Sequence, residues 1–338
     1  MVKPSKRALL CGIGGQDGTY LAKLLLEKGY QVTGTSRDAM ATSFSNLSHL
    51  GIRAQVRAVS MAISDFGSVL ATIKSVAPDE IYNLAGQSSV GLSFQQPVET
   101  MESIAMGTLY QLEAIRFLGL PIRYYSAGTS ESFGDTGDEP AAEETPFYPC
   151  SPYAVAKVSA HHLVANYREA YGIFACSGIL FNHESPLRPE RFVTQKIVRT
   201  AVHIAQGSGE KLYLGNLDIY RDWGWAPEYV EAMWLMLQQE KAEDFVIATG
   251  KTVSLQYFVE RTFAHFGLDW KHHVVADPSL LRPSDIRVGR ANPEKAKRLL
   301  GWVARTHVDK VIDQMCDAAL RESTAGGGRL SETRSISQ

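Results

Sequence analysis

The chain has 338 residues, enough for one large domain or two unequal ones. It is 45% hydrophobic and 21% charged, with a formal net charge of -2; lysine and arginine are scattered, which argues against a nucleic-acid-binding surface. The apolar run after the basic N-terminus is too short for a signal-peptide core or a membrane span, so a cytoplasmic protein with no membrane attachment is expected.

RALLCGI (7–13) opens the chain as a buried strand. QVTGTS (31–36), QVRAVS (55–60), EIYNLA (80–85), RYYSAG (123–128) and FACSGILF (174–181) repeat the type. Helical patterns lie between them: TYLAKLLLEKG, which ends on Gly29, then SDFGSVLATIKSV and GTLYQLEAIRFLG. This alternation predicts an α/β fold with a parallel sheet flanked by helices. Beyond about residue 182 it loosens into loops with helices expected at 192–206, 226–240 and 254–266, forming a smaller domain over the carboxyl edge of the sheet. The Gly- and Ser-rich stretch 323–338 is expected to be a flexible tail with no fold of its own. Cys11, Cys150, Cys176 and Cys316 lack metal-ligand spacing, so no metal site is expected; Cys11 and Cys176, in apolar runs, read as buried free thiols of a reducing compartment.

GIGGQDG (12–18) follows the first strand and opens the first helix, placing Gly12, Gly15 and Gly18 in G-x-x-G-x-x-G spacing. Small residues let the backbone turn tightly and bring helix amides against a pyrophosphate, while an ordinary Gly-rich turn is the competing reading. At the end of the second strand stands Arg37 in place of the acid that would bind a ribose 2′-hydroxyl. A guanidinium suits a 2′-phosphate, which favours NADP over NAD, although Asp38 follows at once and a solvated surface arginine is the alternative.

SPYAVAK (151–157) puts Tyr153 and Lys157 four apart on one helix face, with Ser151 as cap and Pro152 in the first turn. A neighbouring ammonium and an oxidised nicotinamide both favour the phenolate, which would make Tyr153 a usable base near neutrality. In AGTSES (127–132), Thr129 and Glu131 are two apart, on one face of an extended strand end.

Taken together, the glycine turn, NLAGQSSV, the threonine of AGTSES and Y-x-x-x-K resemble an extended short-chain dehydrogenase/reductase. Longer runs, TPFYPCSPYAVAK, NYREAYGIFACSGILFNHESP, LYLGNLD, RDWG and YVEAMWLMLQQ, resemble the GDP-mannose 4,6-dehydratases over roughly residues 7 to 320. The resemblance implies a Rossmann-type doubly wound parallel sheet over residues 1–182, binding NADP and carrying the catalytic residues. Residues 183–322 would form mainly a smaller C-terminal α/β substrate-binding domain, with some segments returning to the sheet. It also implies a lyase acting on a GDP-sugar. Tyr153 takes the 4-hydroxyl proton while hydride leaves carbon 4, Thr129 bonds that oxygen, and Lys157 supports the phenolate. Glu131 takes the carbon-5 proton, the 6-hydroxyl leaves as water, and the hydride returns to carbon 6. A simple reductase or 4-epimerase has no need of Glu131.

Residues carried over for the cofactor are Gly12, Gly15, Gln16, Asp17, Gly18, Arg37, Leu84, Ala85, Gln87, Ser88, Tyr153, Lys157, His183 and Arg188. Those for the substrate are Ser88, Glu131, Asn182, Lys196, Gly215, Arg221, Arg282 and Asp285, the cations suiting a diphosphate. Trp223 and Trp234 read as core packing rather than a stacking box. A homodimer or homotetramer is implied. The chain departs from the family at Arg37-Asp38, Ala62, Ser126, Gly128, Gln195 and RPSDIR (282–287). These changes leave open another GDP-sugar such as a GDP-heptose, a GDP-sugar 4-reductase or epimerase, and a nucleotide-sensing protein without catalysis.

Overall fold

A computed structural model describes residues 5–332, with side chains as far as Thr324. Six strands form in turn: β1 (Arg7–Cys11), β2 (Gln31–Ser36), β3 (Arg57–Ser60), β4 (Glu80–Asn83), β5 (Arg123–Ala127) and β6 (Ala175–Leu180). Next come β7 (Asn182–Glu184), β8 (Leu212–Leu214), β9 (Tyr220–Trp225), β10 (Phe245–Ile247), β11 (Thr252–Ser254) and β12 (Val274–Ala276). The main sheet has seven strands in the order β10-β6-β5-β4-β1-β2-β3, all parallel. That is the doubly wound Rossmann arrangement, with its switch point between β1 and β4.

The helices are α1 (Gln16–Glu27), α2 (Ser45–His49), α3 (Phe66–Val76), α4 (Val90–Gln95), α5 (Pro97–Met101) and α6 (Gly107–Leu118). They continue as α7 (Pro152–Tyr171), α8 (Val193–Ala205), α9 (Ala226–Met236), α10 (Leu255–His265) and α11 (Val308–Glu332). Strand alternation sorts the apolar side chains onto two faces. Leu10, Tyr82, Tyr125 and Cys176 meet Leu21 and Leu25 of α1 and Tyr229 and Met233 of α9. Leu9, Ile81, Tyr124 and Ala175 meet Ile73 of α3, Leu112 of α6 and Val164 of α7. Burial on both sides explains why β1 is apolar throughout after Arg7.

A second core joins α8, α10 and α11 through Val198, Phe258, Phe263 and Ile312, with Trp223 of β9 among them. Beside it, β9 pairs parallel with β7 and antiparallel with β11, and β8 pairs with β12. The smaller sheet therefore starts where β6 ends, which sets both layers around one crevice.

Several expected boundaries move, two of them for a clear physical reason. The first strand stops at Cys11 instead of residue 13, because Gly12 enters the left-handed region at φ 86°. The stretch from 323, expected to hold no structure, continues α11 as far as Glu332, while 333–338 lie outside the described residues. Val311, Ile312 and Met315 anchor this helix in the second core, and extending a nucleated helix costs far less than starting one. Among the described residues no helix is long and apolar enough to cross a membrane.

Candidate active site

The turn after β1 is built for an anion. A side chain at Gly12 would place Cβ 2.8 Å from Leu84 O, and one at Gly18 would place it 2.4 Å from Gly12 O. Gly15 caps α1 without a side-chain bond, so the first helix amides face the cleft. This cradle fits the pyrophosphate of a dinucleotide. The cleft, about 870 Å³, is lined by Gly12, Gly15, Gln16, Asp17, Gly18, Arg37, Leu84, Ala85, Gln87, Ser88 and Arg188. Every residue carried over for the cofactor lines it except Tyr153, Lys157 and His183, which line an adjoining cavity.

Arg37 is exposed at the rim, and among the described residues its guanidinium has no carboxylate partner. Beside it Asp38 Oδ1 accepts from the amides of Met40 (2.9 Å) and Ala41 (3.1 Å), closing its own turn. Gln87 is likewise committed locally, donating to Ser89 O at 2.7 Å.

Asp17 and His183 close the inner end. His183 Nε2 lies 3.0 Å from Asp17 Oδ2 and Nδ1 lies 2.7 Å from Phe181 O. Burial raises Asp17, but the His183 charge and hydrogen bond outweigh it and bring the carboxyl down to about 2. For His183 burial pulls down, yet the Asp17 charge wins and the ring is raised above 6.5. The ring also stacks on Tyr229 at 4.5 Å.

The second cavity, about 390 Å³, brings together Thr129, Glu131, Tyr153 and Lys157 with Ser88, Asn182, Lys196, Gly215, Arg221, Arg282 and Asp285. Ser151 caps α7 through the Ala154 amide at 3.1 Å, aiming the tyrosine and lysine turns inward. Lys157 Nζ donates to Ala127 O at 2.7 Å and lies 5.8 Å from the centre of the Tyr153 ring. Burial lowers Lys157 to about 8. In the protein alone burial raises Tyr153 to about 12, the nearby Thr129 hydroxyl pulling less strongly the other way.

A correction concerns AGTSES. Residues Ser130–Phe133 form a 3-10 turn and not an extended strand end. Thr129 Oγ1 accepts from the Glu131 amide at 3.3 Å. The turn still brings both side chains to the same cavity, because the cap bends the chain back across its own hydroxyl.

Glu131 Oε1 is 3.9 Å from Arg221 Nε, and Asp285 Oδ1 is 3.7 Å from both Arg221 Nη2 and Arg282 Nη1. Lys196 Nζ donates to Tyr213 O at 2.7 Å. Gly128 lines the cavity, while Ser126 and Gln195 are buried away from it at 4% and 2% exposure. Only part of the family departures therefore faces the substrate. Trp223 packs on Phe258 at 5.3 Å and shows one edge to the cavity; Trp234 lies beneath Lys28.

Sequence reading missed Arg191 and Phe192, which line both cavities. Arg188 stacks over Phe192 at 3.7 Å. An aromatic preceded by two arginines just before α8 was the available signal. All four cysteines are free, with Cys11, Cys176 and Cys316 buried. Among the described residues no group of three or more His, Cys, Asp or Glu is placed to hold a metal.

The fold is similar to that of UDP-glucose 4-epimerase from Thermus thermophilus, solved with NAD, at 24% identity and a TM-score of 0.82 over 93% of this chain and 98% of that one. It is also similar to dTDP-glucose 4,6-dehydratase from Bacillus anthracis str. Ames, solved with NAD, at 20% identity and a TM-score of 0.82 over 95% and 98%. In sequence the chain is 46% identical to GDP-mannose 4,6 dehydratase 1 of Arabidopsis thaliana over 95% of this chain and 91% of that protein. It is 44% identical to GDP-mannose 4,6-dehydratase of Vibrio cholerae over 92% of each. It is 42% identical to GDP-mannose 4,6 dehydratase of Cricetulus griseus over 94% and 92%. A family model described as GDP-mannose 4,6 dehydratase matches residues 9–315, from the first strand through most of the second core, and the chain belongs to that family.

Proposed function

We propose that the protein dehydrates GDP-D-mannose to GDP-4-keto-6-deoxy-D-mannose on a retained NADP. The observation that carries this reading is one cavity lined by Thr129, Glu131, Tyr153 and Lys157 and adjoining the glycine cradle. Gly12, Gly15 and Gly18 would hold the pyrophosphate and Arg37 the 2′-phosphate, with Asp38 Oδ1 bonded within its own turn. When bound, the nicotinamide supplies reversible hydride exchange, accepting hydrogen from carbon 4 and returning it at carbon 6, so none is consumed.

The chain's own residues do the proton work. Tyr153 receives the 4-hydroxyl proton. Burial opposes its phenolate, so the positive charge of Lys157, fixed by Ala127 O, is needed beneath it. Thr129 accepts the Glu131 amide and keeps its own hydrogen for the carbon-4 oxygen. Once carbon 4 is a ketone the carbon-5 proton is acidic, Glu131 removes it, and the 6-hydroxyl departs as water. Lys196 and Arg282 supply positive charge for the diphosphate.

Residues 1–182 then form mainly the cofactor domain and 183–322 mainly the substrate domain. Exposed Met106 just before α6, Phe117 on α6 and Val155 on α7 are open to contact in a homodimer or homotetramer, and the free thiols fit the reducing cytoplasm. The test is incubation of carbon-4-deuterated GDP-mannose with protein and NADP+. Loss of water with deuterium at carbon 6 supports the reading, and a product that keeps its 6-oxygen overturns it.

A further inference from the structure

The two cavities meet at one junction. Asp17, Leu84 and Ser88 on the sheet side and Arg188, Arg191 and Phe192 on the segment before α8 line both. A dinucleotide reaching from the glycine cradle to Tyr153 has to pass here. Most of the charge at the junction is settled in pairs: Asp17 Oδ2 lies 3.0 Å from His183 Nε2, and Glu184 Oε2 lies 3.2 Å from Arg188 Nε. Arg191 is the exception, with no carboxylate partner among the described residues. Its guanidinium lies 5.2 Å from the centre of the Phe192 ring, and Nη2 approaches Ser88 Oγ on the facing wall at 3.4 Å. That contact is too long to be strong, but it shows the side chain spanning the junction, from the stretch after β7 to the loop after β4. A guanidinium has more donors than one hydroxyl takes up, so the rest stay available to an anion.

We propose that Arg191 is a cofactor-retaining residue, which straps the junction and gives its charge to the pyrophosphate of the bound dinucleotide. Retention matters to the proposed dehydration, because a hydride taken from carbon 4 must be given back at carbon 6. Cofactor that leaves in mid-turnover would strand the substrate as a ketone. The inference rests on the dehydratase reading only for this reason, and the binding itself is argued from the junction. Gln16 and Asp17, at the start of α1, line the same cleft as Arg191. The helix offers fixed amide dipoles there, while Arg191 offers a full charge on an exposed side chain that can part from Ser88 to admit the ligand. Arg37 has a different task, since a 2′-phosphate belongs to NADP alone. A pyrophosphate is common to NADP and NAD, so Arg191 should hold both equally.

The test is the rate at which reduced cofactor leaves. Protein loaded with NADPH is mixed with excess NADP+, and the loss of tryptophan-to-NADPH energy transfer is followed by stopped flow. The same is done for NADH chased by NAD+. For Arg191→Ala, release of both cofactors is expected to quicken on the order of tenfold, with the ratio between them unchanged. Added salt should speed release from the wild type more than from this variant, which a merely structural role would not produce. Arg191→Lys keeps the charge and should recover part of the retention. Because residue 191 is exposed, melting of the cofactor-free protein should stay the same in both variants. Unchanged release from Arg191→Ala overturns the inference and leaves a solvated surface arginine. An effect on NADPH alone also overturns it, by placing the residue on the 2′-phosphate. So does a loss of GDP affinity in calorimetry with release unaltered, which places it on the substrate, and so does faster release accompanied by lower melting of the cofactor-free protein in both variants. If the wild type binds NADPH but dehydrates no GDP-mannose, the dehydratase reading fails and the release comparison still decides the role of Arg191. If it binds neither cofactor, both fall.

Discussion

The buried ring of His183 stands between two acceptors, Asp17 Oδ2 at 3.0 Å on Nε2 and Phe181 O at 2.7 Å on Nδ1. Neither partner donates while Asp17 is ionised, so this pocket favours the ring protonated on both nitrogens, the imidazolium. Gln16 adds to the joint by donating to His183 O at 3.2 Å and to Asp17 Oδ1 at 3.0 Å. The pair thus pins the first turn of α1 to the corner between β6 and β7, and so joins the glycine cradle to the reacting end.

Asp17→Asn should therefore destabilise the protein by on the order of 2 kcal/mol, less than the ~3–5 of a broken buried pair because the ring can release its proton. The sign follows from both partners. Asp17, lowered from 3.8 to about 2, contributes stability above its unfolded value that is lost as pH falls through about 2. His183, raised above 6.5, contributes stability that is full below 6.5 and lost as pH rises through its folded value. The wild-type advantage in urea melts should be greatest between these limits and shrink on either side. Direct 15N shifts should show both ring nitrogens protonated in the wild type at pH 6. A single protonated nitrogen there would refute the imidazolium.

Lys157 contributes to chemistry at a cost in stability. Its ammonium is lowered from 10.5 to about 8 by burial, so the folded state is penalised while pH lies below about 8, and the penalty fades between 8 and 10.5. Lys157→Met should stabilise the protein by on the order of 2 kcal/mol at pH 7, discounted for residual solvent contact, while lowering turnover roughly 10²- to 10⁴-fold. Thermal melts at pH 7 and pH 10 check this together. A variant that melts lower than wild type at pH 7 would show that the bond to Ala127 O outweighs burial.

Glu131 and Tyr153 divide the reaction, so their variants should fail differently. Glu131→Gln keeps the shape of the Ser130–Phe133 turn and should still form reduced nicotinamide, seen at ~340 nm, while dehydration falls about a hundredfold or more. Tyr153→Phe should lose both signals, by roughly 10²- to 10⁴-fold. Rapid mixing with GDP-mannose distinguishes them. Water loss at the normal rate from the glutamine variant removes the role given to Glu131.

How much of this was legible beforehand depends on how local the cause was. The cradle could be read because Gly12, Gly15 and Gly18 act through their own backbone and neighbours. Ser151, Pro152, Tyr153 and Lys157 could be read because one helix holds all four. The 3-10 turn at Ser130 was hidden, since a Thr129 cap and a strand end share the same letters. The raised Tyr153 was hidden because its cause is burial, which only the packed fold creates. The anchoring of Arg221 depends on carbonyls at 286 and 287, more than sixty residues further on. Backbone acceptors carry no side-chain identity, so no motif could have announced them.

The last prediction concerns the choice of cofactor. Sequence alone left Arg37 and Asp38 in conflict, one suited to a 2′-phosphate and the other to a bare ribose. In the fold Asp38 Oδ1 accepts from the amides of Met40 and Ala41, and the exposed guanidinium of Arg37 stands at the rim of the cleft. A charge-assisted contact to a phosphate is worth about 1.5–3 kcal/mol. Arg37→Ala should therefore weaken NADP+ binding by about tenfold to a hundredfold and leave NAD+ binding nearly unchanged. Asp38→Ala removes a turn bond and not a ribose ligand, so it should weaken both cofactors by a similar small factor. Calorimetric titration of the three proteins with each cofactor gives the comparison. A gain in NADP+ over NAD+ affinity on removing Asp38 would mean that its carboxylate does face the ribose, and that its turn opens when cofactor binds.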